Sequence, residues 1–303
     1  MGKIVIAGEM LIDMITTDYV DDLGKAETFT RHFGGSPANI AINLADLGIK
    51  SKIVSRVGND PVGHALIDHA KSRNLDTRYI QIDSLRPTTF VIVSKSKSTP
   101  QFLALRGAET ALEMPPIDIF DDASYFHFSS WPISYKKSRK TIFEMVEYAS
   151  DKGIKICFDP NYRKVLWENG ADGRRTLKSI FKYIFLAKPS NDDAFHIFGS
   201  MNEMEYIKAF HRFGVENVVL TLGKDGAIIS NGKRSQILSS VAKTVVNTTG
   251  AGDAFWSGMY YAMMNGADIF EAAKFGNATA AFRIGCQSPD SPLDKGKIER
   301  DFL

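Results

Sequence analysis

Short apolar, β-branched runs alternate along the chain with stretches whose apolar positions recur at helical spacing. That alternation restricts the architecture more than any single motif does. Residues 3–8 (Lys-Ile-Val-Ile-Ala-Gly) read as a buried first strand, and residues 37–47 set Ala38, Ala41, Ile42 and Ala45 on one helical face with Gly48 as the stop. A strand at 53–57 precedes a helix over 61–73, opened by Asp60 as cap and Pro61 in the first helical position. Further on come a strand at 124–129, a helix over 135–152, a strand at 154–158 and a helix within 171–183. Strand 183–187, helices within 191–212, strand 217–222, a β-rich stretch over 226–246 and helices near 252–265 and 269–284 complete the series. Such a series predicts an α/β fold, a mostly parallel central sheet with helices on both faces. The pattern breaks once: 78–82, 88–94 and 101–105 read as short successive strands of an antiparallel insertion. The expectation is a single α/β domain over 1–303, with a small discontinuous β-lid at roughly 13–33 and 86–107.

Charge narrows the partners. Lys plus Arg number 37 against 35 Asp plus Glu, a net +2, so there is no excess positive charge to mark a nucleic-acid or polybasic membrane surface. A small molecule is the expected partner. The two cysteines, Cys157 and Cys286, lack zinc-type spacing and are too few for a disulfide framework. The longest apolar-and-small run, 254–264, is shorter than the roughly 20 residues of a membrane helix. No basic segment leads into an apolar one at the start, and a cytoplasmic location is expected.

In parallel sheets ligands gather beyond the carboxyl ends of the strands. Residues 248–253 (Thr-Thr-Gly-Ala-Gly-Asp) stand at such a place, before an apolar helix. Successive amides at a helix N-terminus make an anion nest, and Asp253 beside it can take a hydroxyl proton while the nest carries charge on a phosphoryl group. An ordinary N-cap carboxylate is the alternative. Residues 34–39 (Gly-Gly-Ser-Pro-Ala-Asn) open the first helix; Gly34 and Gly35 permit close approach to a ligand, and Asn39 can both donate to and accept from hydroxyls. Strand one runs into Glu9-Met10 rather than G-x-G-x-x-G, and no G-x-x-x-x-G-K-[ST] occurs, which removes a Rossmann oxidoreductase and a Walker-type kinase.

Together these two stretches resemble the paired signatures of the PfkB (ribokinase-like) carbohydrate kinase family, in the right order and far apart, with similarity running from Lys3 to the C-terminus. The resemblance implies an ATP-dependent sugar kinase in which Asp253 is the catalytic base and the amides of Gly250, Ala251 and Gly252 form the anion hole. Asp13, in Gly8-Glu9-Met-Leu-Ile-Asp13, would bind sugar hydroxyls with Gly34, Gly35 and Asn39. Thr221, Gly223 and Gly226 resemble the family's nucleotide loop, and Asn277 falls where adenine is contacted. Ser190 and Asp193 stand where relatives carry Asn and Glu; Ser190 would meet phosphate and Asp193 would hold magnesium (Mg2+) through water. Asn247 replaces an Asp that helps hold potassium in activated relatives, so a monovalent cation stays open.

Residues 158–163 (Phe-Asp-Pro-Asn-Tyr-Arg) resemble a segment of the fructokinase and 2-keto-3-deoxygluconate kinase branches. Arg163 and Arg106 are candidate clamps for a carboxylate or phosphate. The lid strand Phe102-Leu-Ala-Leu-Arg106 lacks the tyrosines of the keto-acid branch. The expected reaction is therefore phosphorylation of a neutral ketohexose, fructose to fructose 6-phosphate. A 2-keto-3-deoxygluconate kinase and a catalytically silent sugar-binding regulator are the alternatives. The apolar lid strand 90–93 can also pair between subunits of a homodimer.

Overall fold

The computed structural model describes residues 2–96 and 101–303; residues 97–100 of the expected lid lie outside the described residues. Its main sheet is built from β1 (Lys3–Ala7), β4 (Ser51–Gly58), β5 (Ile80–Asp83), β8 (Ala123–Ser129), β9 (Lys155–Asp159), β10 (Ile184–Ala187), β11 (Asn217–Thr221), β12 (Ala227–Ser230) and β13 (Ser235–Leu238). The order is β13-β12-β11-β10-β9-β8-β1-β4-β5, antiparallel only where β12 meets β11 and β13. A four-stranded sheet, β3-β2-β6-β7, is made from β2 (Leu11–Tyr19), β3 (Phe29–Gly34), β6 (Phe90–Lys95) and β7 (Phe102–Leu105).

Two cores flank the main sheet, and strand alternation assigns each residue to one. Ile4 and Ile6 of β1 face helices α1 (Ser36–Asp46), α2 (Pro61–Ser72), α8 (Ala251–Met264) and α9 (Ile269–Ile284). Val5 and Ala7 face the opposite side, with α4 (Lys136–Asp151), α5 (Arg174–Ile180), α6 (Asn191–Phe198) and α7 (Glu203–Arg212). Being buried on both faces is why β1 reads as an unbroken apolar run rather than an alternating one. The short α3 (Ser130–Ile133) continues β8, and α10 (Lys295–Phe302) closes the chain. Among the described residues no helix is long and apolar enough to cross a membrane.

Two expectations need correction. Residues 78–82 do not join the insertion: β5 pairs in parallel with β4 and forms the edge of the main sheet. Its composition is that of any short strand, and the partner is chosen by the crossover through α2, a non-local event. Residues 90–93 cannot pair between subunits either. Strand β6 is enclosed by β2, in parallel, and β7, antiparallel, so its backbone donors and acceptors are already taken.

The chain leaves β1 toward β4 on one side and is rejoined by β8 on the other. That reversal opens a crevice beyond the carboxyl ends of the strands. Glu9, Asp159, Lys188 and the N-terminus of α8 converge there.

Candidate active site

Gly250 adopts the left-handed conformation (φ 77°) as the N-cap of α8, so Asp253 is a first-turn helical residue and not a cap. Its carboxylate reaches across to α1 instead. Oδ1 accepts from Ser36 Oγ at 2.6 Å and Oδ2 from Asn39 Nδ2 at 2.8 Å. Burial, outweighing these two bonds, pushes Asp253 up to about 6. The N–H of Ala251 donates to the Thr248 carbonyl at 3.3 Å. Among the described residues the amides of Gly250 and Gly252 have no acceptor, as the start of a helix dictates. Of the three amides expected to form the nest, that of Ala251 therefore already meets a carbonyl, at the long distance of 3.3 Å, while the other two are open.

The glycines of residues 34–35 are needed for space. A Cβ on Gly34 would strike the Asp13 carboxylate, and one on Gly35 (φ 101°) would strike the Glu9 carbonyl. Asp13 lies on β2, opposite His32 of β3 and Val91 of β6. Burial, with Asp253 and Asp290 nearby, pushes it up to about 7. Leu11, Val91, Trp131 and Leu166 make a small apolar cluster between the four-stranded sheet and the main domain.

Beside α8 runs a cavity of about 460 Å³ whose walls include Thr221, Gly223, Gly226, Gly252 and Asn277. Asn277 Nδ2 donates to the Ser239 carbonyl at 2.8 Å and ties α9 to the loop after β13. Val245, Ala280 and Ile284 give that cavity apolar walls.

Four expected ligands are held differently from the rest. The guanidinium of Arg106 pairs with Glu109, donates to Ser134 Oγ at 3.0 Å and lies 4.4 Å from the Trp131 ring centroid. It is buried and occupied. Arg163 is exposed and bonds only the carbonyl of Tyr162, at 3.2 Å. Ser190 and Asp193 form the capping box of α6. Asp193 Oδ2 accepts from Ser190 N (2.9 Å) and Oγ (2.6 Å), and Oδ1 accepts from Tyr162 N at 2.7 Å.

Three residues to which the sequence assigned no role also stand at the site, two of them, Asp159 and Lys188, directly at strand ends. Lys188, 4% exposed, lies 3.3 Å from Asp159 Oδ2, which also accepts from Trp256 Nε1 at 2.8 Å. Its ammonium sits against the backbone of Gly252, 3.6 Å from where a Cβ would be. The one available signal was a lysine directly after the apolar strand Ile184–Ala187 and fixed by Pro189. Burial pushes Asp159 up, against the pull of Lys188. Glu9 is the third.

A buried carboxylate held by two donors, open helix-start amides, a buried ammonium beside them and an adjoining cavity are the groups that a small-molecule phosphotransferase on a parallel sheet needs. The family model for pfkB family carbohydrate kinase matches residues 1–296. The chain belongs to that family and is a carbohydrate kinase with the ribokinase-like fold. It is 42% identical over 284 residues to an ATP-dependent 6-phosphofructokinase of Thermoanaerobacterium thermosaccharolyticum, covering 93% of this chain and 87% of the relative. The solved fructokinase of Halothermothrix orenii is 40% identical with a TM-score of 0.84, covering 92% of this chain and 98% of that one. An uncharacterized sugar kinase from Pyrococcus horikoshii, solved in complex with ATP, is 28% identical with a TM-score of 0.86, covering 99% and 100%.

Proposed function

We propose that this kinase transfers the γ-phosphoryl group of ATP to a hydroxyl of a neutral ketohexose, fructose to fructose 6-phosphate. The carrying observation is the Asp253 carboxylate, aimed by Ser36 and Asn39 between the Asp13 side and the free amides of α8. Sugar hydroxyls would be accepted by Asp13, with Gly34 and Gly35 giving room and Asn39 completing the contact. ATP would lie along the cavity, its base near Asn277 and its phosphates over Thr221, Gly223 and Gly226 toward Gly252. The small sheet is the lid that excludes water from the sugar.

In the transfer the sugar oxygen bonds to the γ-phosphorus, the bond to the bridging oxygen breaks and ADP leaves. The hydroxyl proton passes to Asp253. Gly250 and Gly252 amides and the Lys188 ammonium face the charge spread over the transferring group, the kind of preorganised field that supplies most of such catalysis. Magnesium would neutralise part of the charge on the phosphates. Among the described residues no three His, Cys, Asp or Glu side chains group to hold an ion. With both Asp193 oxygens already accepting, this donor set suits an ion carried in by the nucleotide and met by Asp193 through water.

A neutral sugar is favoured because Asp13, Asp253 and Asp290 cluster around its site while Arg106 is occupied by Glu109. An acid such as 2-keto-3-deoxygluconate would have to draw Arg106 out of that pairing. A second reading, fructose 6-phosphate as acceptor, is favoured by the 42% identical relative, a 6-phosphofructokinase, with exposed Arg163 as the phosphate ligand. A second copy of the chain would dock on the outer face of the lid, where Leu103 and Leu105 are 49% and 52% exposed.

Coupled ADP release with magnesium–ATP tests the reading against fructose, fructose 6-phosphate, 2-keto-3-deoxygluconate and ribose, with and without potassium. The highest kcat/KM on fructose is expected. Preference for fructose 6-phosphate would replace the first reading by the second. Sugar binding without turnover would make the chain a silent binder.

A further inference from the structure

Glu9 stands one residue beyond β1, after Gly8, and is 3% exposed. Its Oε1 accepts from the N–H of Ser36 at 3.3 Å, and Ser36 Oγ in turn donates to Asp253. Its main-chain oxygen packs against Gly35. Its Oε2 is buried with no hydrogen-bond partner among the described residues. The charged groups facing it are Arg106 beyond β7, Glu109 in the turn after it and Asp253 on α8. Arg106 is committed elsewhere: Glu109 takes its Nε, Ser134 Oγ takes Nη1, and the rings of Trp131 and Tyr135 enclose the guanidinium. Glu109 itself is satisfied by Arg106, by Thr89 Oγ1 and by the N–H of Gly107 at 3.0 Å.

An ionised Glu9 would leave one carboxylate oxygen unsolvated, between two other acids, beside a cation that Glu109 already neutralises. That arrangement is costly. A neutral carboxyl group removes the buried charge and leaves only the smaller cost of one unpaired hydroxyl, and its Oε1 still accepts from Ser36. We propose that Glu9 is a positioning residue that works as an uncharged acid, holding Ser36 and through it Asp253, so that Asp253 alone carries charge at that spot.

The two carboxyls are pushed apart as the proposal requires: Glu9 up to about 8, chiefly by burial, and Asp253 to about 6. Between those values Glu9 keeps its proton while the base has lost its own. Above about 8 Glu9 ionises, repels the anionic phosphoryl group and draws Arg106 away from Glu109. Turnover then falls on the alkaline side.

The kinetic arm rests on the kinase reading proposed above; a spectroscopic arm does not. Glu9→Gln keeps the acceptor for Ser36 and cannot ionise, whereas Glu9→Ala removes the contact. At pH 7, kcat of Glu9→Gln should stay within about threefold of the native enzyme and that of Glu9→Ala should fall about tenfold, the scale of one orienting hydrogen bond. The alkaline limb near 8 should vanish in Glu9→Gln. A limb that survives there, or Glu9→Gln as slow as Glu9→Ala, would overturn the proposal. Infrared spectroscopy of protein labelled with 13C-glutamate reads the proton without any substrate, and the label leaves Asp13 and Asp253 silent. A protonated glutamate band at pH 7 that titrates near 8 and is missing in Glu9→Gln is expected. Its absence from the folded native protein would overturn the proposal even if Glu9→Ala failed to fold. A chain inert toward every sugar would sink the kinase-substrate reading alone, since the band would still decide Glu9.

Discussion

Asp253 and Asp13 differ in what their raised pKa values do. Asp253 must be ionised to accept a proton, so kcat should rise as pH climbs through about 6. Asp253→Asn should lower kcat by about 10²–10⁴, the range for losing a general base, with sugar affinity by calorimetry nearly unchanged. Equal losses in both would place Asp253 in binding alone. Asp13, held up to about 7 against an ordinary 3.8, binds its proton more tightly folded than unfolded. Its contribution is therefore full below about 4 and is lost as pH rises toward 7, the direction linkage requires. Asp13→Asn should melt higher than the native chain at pH 8 by calorimetry and show a raised KM for the sugar. A lower melting temperature would contradict that sign. Asp253 was singled out through the resemblance its paired motifs carry, since a glycine turn before a helix also suits an ordinary N-cap carboxylate. Lys188 and Glu9 were not. One buried lysine or glutamate makes no pattern, and its importance comes from neighbours brought in by distant segments.

At the level of elements, α1 does its work through the turn that starts it. Gly35→Ala would force a Cβ into the Glu9 carbonyl at φ 101°, at a cost of about 1–3 kcal/mol for a strained backbone position. Denaturant titration should show that loss, and kcat should fall with it because Ser36 and Asn39 shift together. Full stability in Gly35→Ala would mean that the turn relaxes freely. The helices were legible from caps and spacing: Asp60 does accept from the N–H groups of Val62 and Gly63, at 3.1 and 2.8 Å. Strand partners were not. β5 and β6 have similar local composition, yet one ends at the edge of the main sheet and the other inside the small sheet. Local sequence sets strand character, whereas pairing is decided by crossovers that no short window contains.

For the whole molecule, the small sheet proposed as the sugar's lid presents an apolar outer face. Leu103 and Leu105 alternate with Phe102 and Ala104, which pack inward beside Trp131. Replacing both leucines by Asp should convert a dimer to a monomer in sedimentation velocity without unfolding the chain. A native protein that sediments as a monomer would remove the lid-to-lid docking proposed here. The order of strands along the main sheet also explains why the parallel architecture was readable before any pairing was known. Each βαβ step leaves its own local trace.

The bond from Ser36 to Asp253 closes a gap of 217 residues. A ribosome therefore releases the whole glycine-rich turn, the lid and most of the sheet before the carboxylate that would act there has been synthesised. Partly made chains can fold their early strands, yet they carry no base and spend no nucleotide. Contacts of such long span also form slowly. Activity should consequently appear late and all at once during synthesis, and a protease that nicks the chain ahead of α8 should abolish it even where the remaining sheet survives.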